Sequence, residues 1–159
     1  MRLNFLPIPG EYLKKIRNAG YDDYGHKIEI SIAGESGYGP CRCCLRRFRP
    51  GEKRLLFSYA PVGADNPYNE VGPVYIHEDC DPYAENSSLP EEIKEGKTAI
   101  HLILRCYNAD RRMIWSHYIK DNSEVENVIS SLFGDPQIQF IHLRNATYQC
   151  FIAEVRRDL

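Results

Sequence analysis

Four residues in two short segments carry the most specific chemistry in this chain: Cys41 and Cys44, then His77 and Cys80. Together they read C-x2-C-x32-H-x2-C. Two-residue spacers let each pair present both donors from one tight turn, and four such donors fit tetrahedral zinc at about 2.3 Å for sulfur and about 2.0–2.1 Å for nitrogen. Cys43 substitutes poorly for Cys41, since the thiolates of adjacent Cys43 and Cys44 do not easily converge on one ion. A Cys3His shell is normally closed, with no position for water, so the expected ion is structural rather than catalytic. The competing reading takes Cys44 and Cys80 as small buried hydrophobes and His77 as a hydrogen-bonded strand end.

The same residues also suit thiol chemistry. Cys44 would be the nucleophile, His77 the base and Glu70 the orienting carboxylate, with Arg42 and Arg46 favouring the thiolate. A redox role for the C-x2-C pair lacks the surrounding thioredoxin-like strand and helix. Between residues 42 and 54, Arg42, Arg46, Arg47, Arg49, Lys53 and Arg54 face one acidic residue, Glu52. Beside a zinc knuckle such a run could contact nucleic-acid phosphates, with Phe48 or Tyr59 for stacking; the plainer outcome is a solvated face neutralised by Glu70, Glu78, Asp79, Asp81 and Glu85. Arg105, His142, Arg144 and Arg156 fall at strand positions that could share one sheet face, either as an anion pocket or as an ordinary polar surface. No Gly-rich phosphate loop, G-x-S-x-G elbow or H-E-x-x-H helix is present, so no enzymatic reaction is established.

The composition frames these candidates. A chain of 159 residues suits a single domain over 1–159 that buries roughly two-thirds of its unfolded surface. Its 20 basic and 22 acidic residues give a net charge of −2, which excludes a general polyanion binder and leaves only a local nucleic-acid site. The apolar patch at residues 3–6 is too short for a signal-peptide core, and no apolar run approaches the roughly 18 residues of a membrane helix. A cytoplasmic, soluble protein is expected, in a reducing compartment where its six cysteines stay as thiols and clustered ones read as metal ligands.

The elements that must position the cluster follow from periodicity. Residues 9–20 form an amphipathic helix with Tyr12, Leu13 and Ile16 on one face and a stop at Gly20. KIEISIA (27–33) alternates as a half-buried strand, with Ile28, Ile30 and Ile32 inward. After a turn-rich stretch from 34 to 40 come the first cysteine pair, the Pro50-Gly51 turn and a strand, KRLLFSY (53–59). A loop (60–71) leads to the strand that ends at His77, so a hairpin region over 34–82 can carry both donor pairs to one end. Residues 81–98 read as a surface connection with one helical turn. The C-terminal unit (98–158) reads strand, strand, helix, strand, strand: 99–107, 112–120, a helix capped by a Ser123/Glu126 box, 138–145 and 149–157. The helix buries Val125, Val128, Ile129, Leu132 and Phe133 and stops at Gly134-Asp135-Pro136. These elements predict an α+β fold, a mainly antiparallel sheet with one or two helices packed on it.

Two resemblances add to this. C-x2-C followed by Pro50-Gly51-Glu52, Arg54 and Ile76-His77-x2-Cys80 resembles the zinc finger of the poly(ADP-ribose) polymerase type, a DNA-end-recognising module in that family. It covers residues 41–80 and implies the metal rather than DNA binding. More widely, Pro40-Cys41-Arg42-x-Cys44-Leu45-Arg46, Pro50-Gly51-Glu52, Leu55-Leu56-x-Ser58-Tyr59-x-Pro61, Pro67-Tyr68-x-Glu70-x-Gly72-Pro73-Val74-Tyr75-x-His77, Arg105-x-Tyr107 and Arg144-Asn145 before Cys150-Phe151 are similar to the bacterial domain of unknown function 1203 family. That resemblance implies no reaction, substrate or catalytic residue.

Overall fold

Alternating apolar residues drive two antiparallel sheets in the computed structural model, which describes residues 1–35 and 39–158. In chain order the elements are β1 (Leu3–Leu6), α1 (Gly10–Ala19), β2 (Glu29–Ile32), β3 (Lys53–Tyr59), β4 (Gly72–His77), α2 (Glu91–Lys94), β5 (Leu102–Tyr107), β6 (Met113–Ile119), α3 (Val125–Leu132), β7 (Phe140–Asn145) and β8 (Phe151–Arg157). The larger sheet runs β1-β8-β7-β5-β6 and the smaller β2-β3-β4. The fold is α+β, as expected.

One face of the larger sheet packs Leu102, Leu104, Ile141, Leu143, Ile152 and Val155 against Val125 and Ile129 of α3 and Phe133 at its C-cap. A second core joins Leu13 and Ile16 of α1 to Leu55, Phe57, Val74 and Ile76 of the smaller sheet. Phe151 of β8 reaches into this second core. Helix α1 ends where the sequence places its stop, with Gly20 at φ 72° and its amide on the Ile16 carbonyl at 3.0 Å.

Four expectations need correction. Leu3–Leu6 is a strand rather than an unassigned apolar patch, paired in register with β8 from Leu3 opposite Arg157 to Leu6 opposite Glu154. β2 is an edge strand whose Ile30 and Ile32 are exposed, because only β3 flanks it and, among the described residues, no layer covers that side. The 81–98 connection is not purely superficial, since Leu89 and Ile93 fill the first core. The Ser123/Glu126 box is not formed: Asp121 accepts from the Ser123 amide at 3.0 Å ahead of a 3-10 turn (Asn122–Glu124), and Glu126 turns to the Leu89 amide at 2.8 Å. The turn-rich stretch from 34 to 40 lies partly outside the described residues.

Candidate metal centre

Cys41 to Arg46 closes as a tight loop. The Leu45 amide donates to the Cys41 carbonyl and the Cys41 amide to the Arg46 carbonyl, both at 2.9 Å, and Leu45 takes a left-handed φ of 57°. That curl turns Cys41 and Cys44 toward the end of β4, where the strand delivers His77 and the next turn delivers Cys80. The four donor atoms all lie within 4.8 Å of one another. Cys41 and His77 are buried, Cys44 and Cys80 half-buried. Cys43 stays out of the set and donates to the Cys80 carbonyl at 3.6 Å.

Two of the donor spacings are close to those of a tetrahedral ion. Ligand lengths for zinc imply about 3.8 Å between two sulfurs and about 3.6 Å between sulfur and nitrogen. Cys41 Sγ and Cys80 Sγ are 3.9 Å apart, and Cys44 Sγ lies 3.4 Å from His77 Nδ1. A disulfide needs about 2.05 Å between sulfurs, so 3.9 Å marks separate thiols.

The surroundings suit a negatively charged sulfur cage. The His77 amide points at Cys41 Sγ at 3.2 Å and the Cys43 amide at 3.4 Å, while Arg17 Nη2 reaches Cys80 Sγ at 3.6 Å. His77 turns Nδ1 inward, and its Nε2 meets the Glu52 carboxylate at 2.9 Å. Glu52 is in turn held by Arg46 at 2.7 Å and by the Arg49 amide at 2.8 Å. A carboxylate behind a ligating imidazole fixes its ring and raises its basicity. Phe48 packs on the His77 ring at 4.3 Å between centroids.

Burial works against charging His77, yet Cys41, Cys44, Cys80 and Glu52 together push its pKa up to about 12. The Cys41 contact, with His77, favours a Cys80 thiolate, but Cys43, Cys44 and burial outweigh them and push that thiol up. The Arg46 guanidinium, against burial and helped by the Arg49 amide and His77, holds Glu52 down at about 2.

The fold brings all four predicted ligands together and rearranges their neighbours. Glu70 is not the carboxylate behind His77; it pairs with Arg105 and Arg144 on the larger sheet. Glu52 takes that role, and sequence reasoning passed it over because it reads as the lone acid in an arginine run. A β3-β4 register that sets Arg54 opposite His77, two residues beyond Glu52, is what could have found it. The arginine run does not present all its cations on one face. Arg42 is buried, Arg46 is committed to Glu52, and Phe48 is buried and unavailable for stacking. Lys53 pairs with Glu78 at 3.3 Å.

Among the described residues, no helix is long and apolar enough to cross a membrane. No curated protein and no solved structure matches the chain. The chain belongs to the family described as a protein of unknown function (DUF1203), whose family model matches residues 38–157.

Proposed function

We propose that this member of the family is a single-domain, non-catalytic binding protein stabilised by one structural zinc ion on Cys41, Cys44, His77 and Cys80. The observation that carries the reading is the agreement between the donor spacings, 3.9 Å between sulfurs and 3.4 Å from sulfur to nitrogen, and those of a tetrahedral Cys3His shell. Three thiolates and a divalent ion sum to a charge of −1, and Arg17 stands against that charge. As a structural ion, zinc would tie the 41–46 loop to the end of β4. The single-domain reading is supported by Phe151 of the larger sheet packing in the second core, and by Arg42 donating to its carbonyl at 2.6 Å.

A second reading has one specific observation in its favour. Cys44, His77 and Glu52 stand in series at 3.4 and 2.9 Å, an order that thiol enzymes use. Two observations weigh against it. Cys41 and Cys80 crowd the same centre, which a nucleophile and base do not need, and the cavity beside the larger sheet described below is not lined by Cys44 or His77.

Elemental analysis of the purified chain separates the readings. Zinc binding gives about one zinc per chain, with lower metal content and a lower melting temperature in Cys44→Ser and Cys80→Ser. Metal-free protein that takes up no zinc, together with fast alkylation of Cys44 that slows in His77→Ala, would instead establish the thiol enzyme.

A further inference from the structure

The face of the larger sheet turned away from α3 is polar but largely covered. Arg105, His142 and Glu154 stand side by side across β5, β7 and β8. His142 is fully buried and Arg144 is 5 % exposed, so this is not the solvent-facing surface that such a row of residues ordinarily makes. Tyr107 stacks on Phe140 at 4.9 Å, and Val62 from the β3-β4 loop packs over them. Beside this patch lies a cavity of about 310 Å³, lined among others by Tyr59, Glu70, Arg105, Arg144, Cys150 and Phe151.

The charges around the cavity do not balance. Arg144 donates from Nη1 to the Gln149 carbonyl at 2.9 Å, but its buried Nε and Nη2 make no hydrogen bond among the described residues. Nη2 has the Glu70 carboxylate at 3.4 Å, an ion-pair distance, and the Tyr107 hydroxyl also acts on this guanidinium. The same Glu70 oxygen pairs with Arg105, so one carboxylate serves two guanidinium groups. Glu70 sits on the β3-β4 loop and is half-exposed at 51 %, whereas the two arginine side chains are 18 % and 7 % exposed. Behind Cys150 stands a third guanidinium, that of the buried Arg42, which donates to Cys150 Sγ at 2.9 Å and otherwise to the carbonyls of Pro40 and Phe151.

We propose that this cavity binds a small carboxylate-bearing ligand, whose carboxylate replaces the Glu70 side chain between Arg105 and Arg144, with Cys150 on the wall beside it. The Glu70 carboxylate shows which group fits between the two guanidinium ions, and its loop position lets it swing to solvent when a ligand enters. Paired arginines supply directed donors for such a group. The ligand site shares no donor residue with the metal centre.

Iodoacetate tests this, because it carries the carboxylate that iodoacetamide lacks. With either reagent the Cys150 sulfur forms a bond to carbon and iodide leaves, so the ratio of the two rates cancels the intrinsic reactivity of the thiol. Peptide mass spectrometry on the full-length protein follows Cys150 separately from the other cysteines. The iodoacetate-to-iodoacetamide ratio at Cys150 should exceed that of the denatured chain by about tenfold. It should rise further in Glu70→Gln, fall in Arg105→Gln and Arg144→Gln, and be suppressed by succinate. Arg105→Gln keeps the test available where Arg144→Gln fails to fold. A native ratio equal to the denatured one, or one indifferent to Arg105→Gln, makes the arginines structural partners of Glu70 and overturns the site. Protection by inorganic phosphate without protection by succinate overturns the carboxylate assignment.

Discussion

Replacing Glu52 by glutamine keeps the volume of the side chain and removes its charge. The wild-type bond from His77 Nε2 to Glu52 is 2.9 Å long, and His77 is only 5 % exposed, so water cannot readily substitute. A charge-assisted bond contributes about 1.5–3 kcal/mol and a neutral one about 0.5–1.5 kcal/mol, which leaves about 1–1.5 kcal/mol at stake. Glu52 is itself 29 % exposed, and solvent screening places the loss toward the lower end. Arg46 pulls the other way: stripped of its partner, its cation would remain 3.2 Å from His77 Nε2 and oppose a metal-bound imidazole. The expectation is zinc affinity weaker by roughly tenfold in Glu52→Gln, at the low end of the range for a group supporting a ligand. Because Glu52 stays ionised down to about pH 2, the deficit should be constant across neutral pH. Competition against a chromophoric chelator measures it, with Cys80→Ser as the ligand-loss control. Affinity within twofold of wild type in both Glu52→Gln and Glu52→Ala would refute the idea that this carboxylate supports a ligating imidazole.

Zinc affinity itself should climb from about pH 6 to about pH 8, since thiol protons must leave before sulfur can ligate; calorimetry in buffers of different ionisation enthalpy should record their release, and a flat profile would exclude thiolate ligation. Burial disfavours the Asp22 charge, but the amides of Ser58, His26 and Tyr24, with the His26 ring, hold it at about 2 against an ordinary 3.8. Its folded pKa is therefore depressed, so about 2 kcal/mol of stability should be present above about pH 4 and disappear as pH falls toward 2; urea melts of Asp22→Asn should lose both that stability and that acid limb. Asn122→Ala removes the donor to the Ala99 carbonyl at 2.7 Å and one donor to Ile93 at 3.0 Å, and should cost about 2 kcal/mol, read as a melting temperature lower by about 4–8 °C.

The strands and the ligand set were legible where local chemistry decides them. β3 alternates between buried and less buried positions, β4 and the C-terminal strands stand out as apolar or aromatic-rich runs bounded by turns, and the two donor pairs announce themselves by spacing. What escaped depends on distant partners. Leu3–Leu6 is too short to read as a strand until β8 lies beside it. Ile30 and Ile32 alternate as if one side were covered, and only the folded arrangement shows them exposed on an edge strand. Ser123 and Glu126 have the spacing of a capping box, but Glu126 finds Leu89 and Ser88, 37 and 38 residues away in sequence. Glu52 was hidden in the same way, among cations that suggested phosphate rather than a buried histidine.

Cys41, Arg42 and Cys43 are consecutive yet serve different places: the first belongs to the sulfur cage, while the second spans to Phe151 and Cys150 at the start of β8. One stretch of backbone thus acts as a rigid hinge pin between the cage and the arginine-lined hollow. Stripping zinc with a chelator should slacken that pin, and faster amide exchange should appear not only in the cysteine loop but also at the beginning of the last strand, a part of the chain that touches no ligand atom.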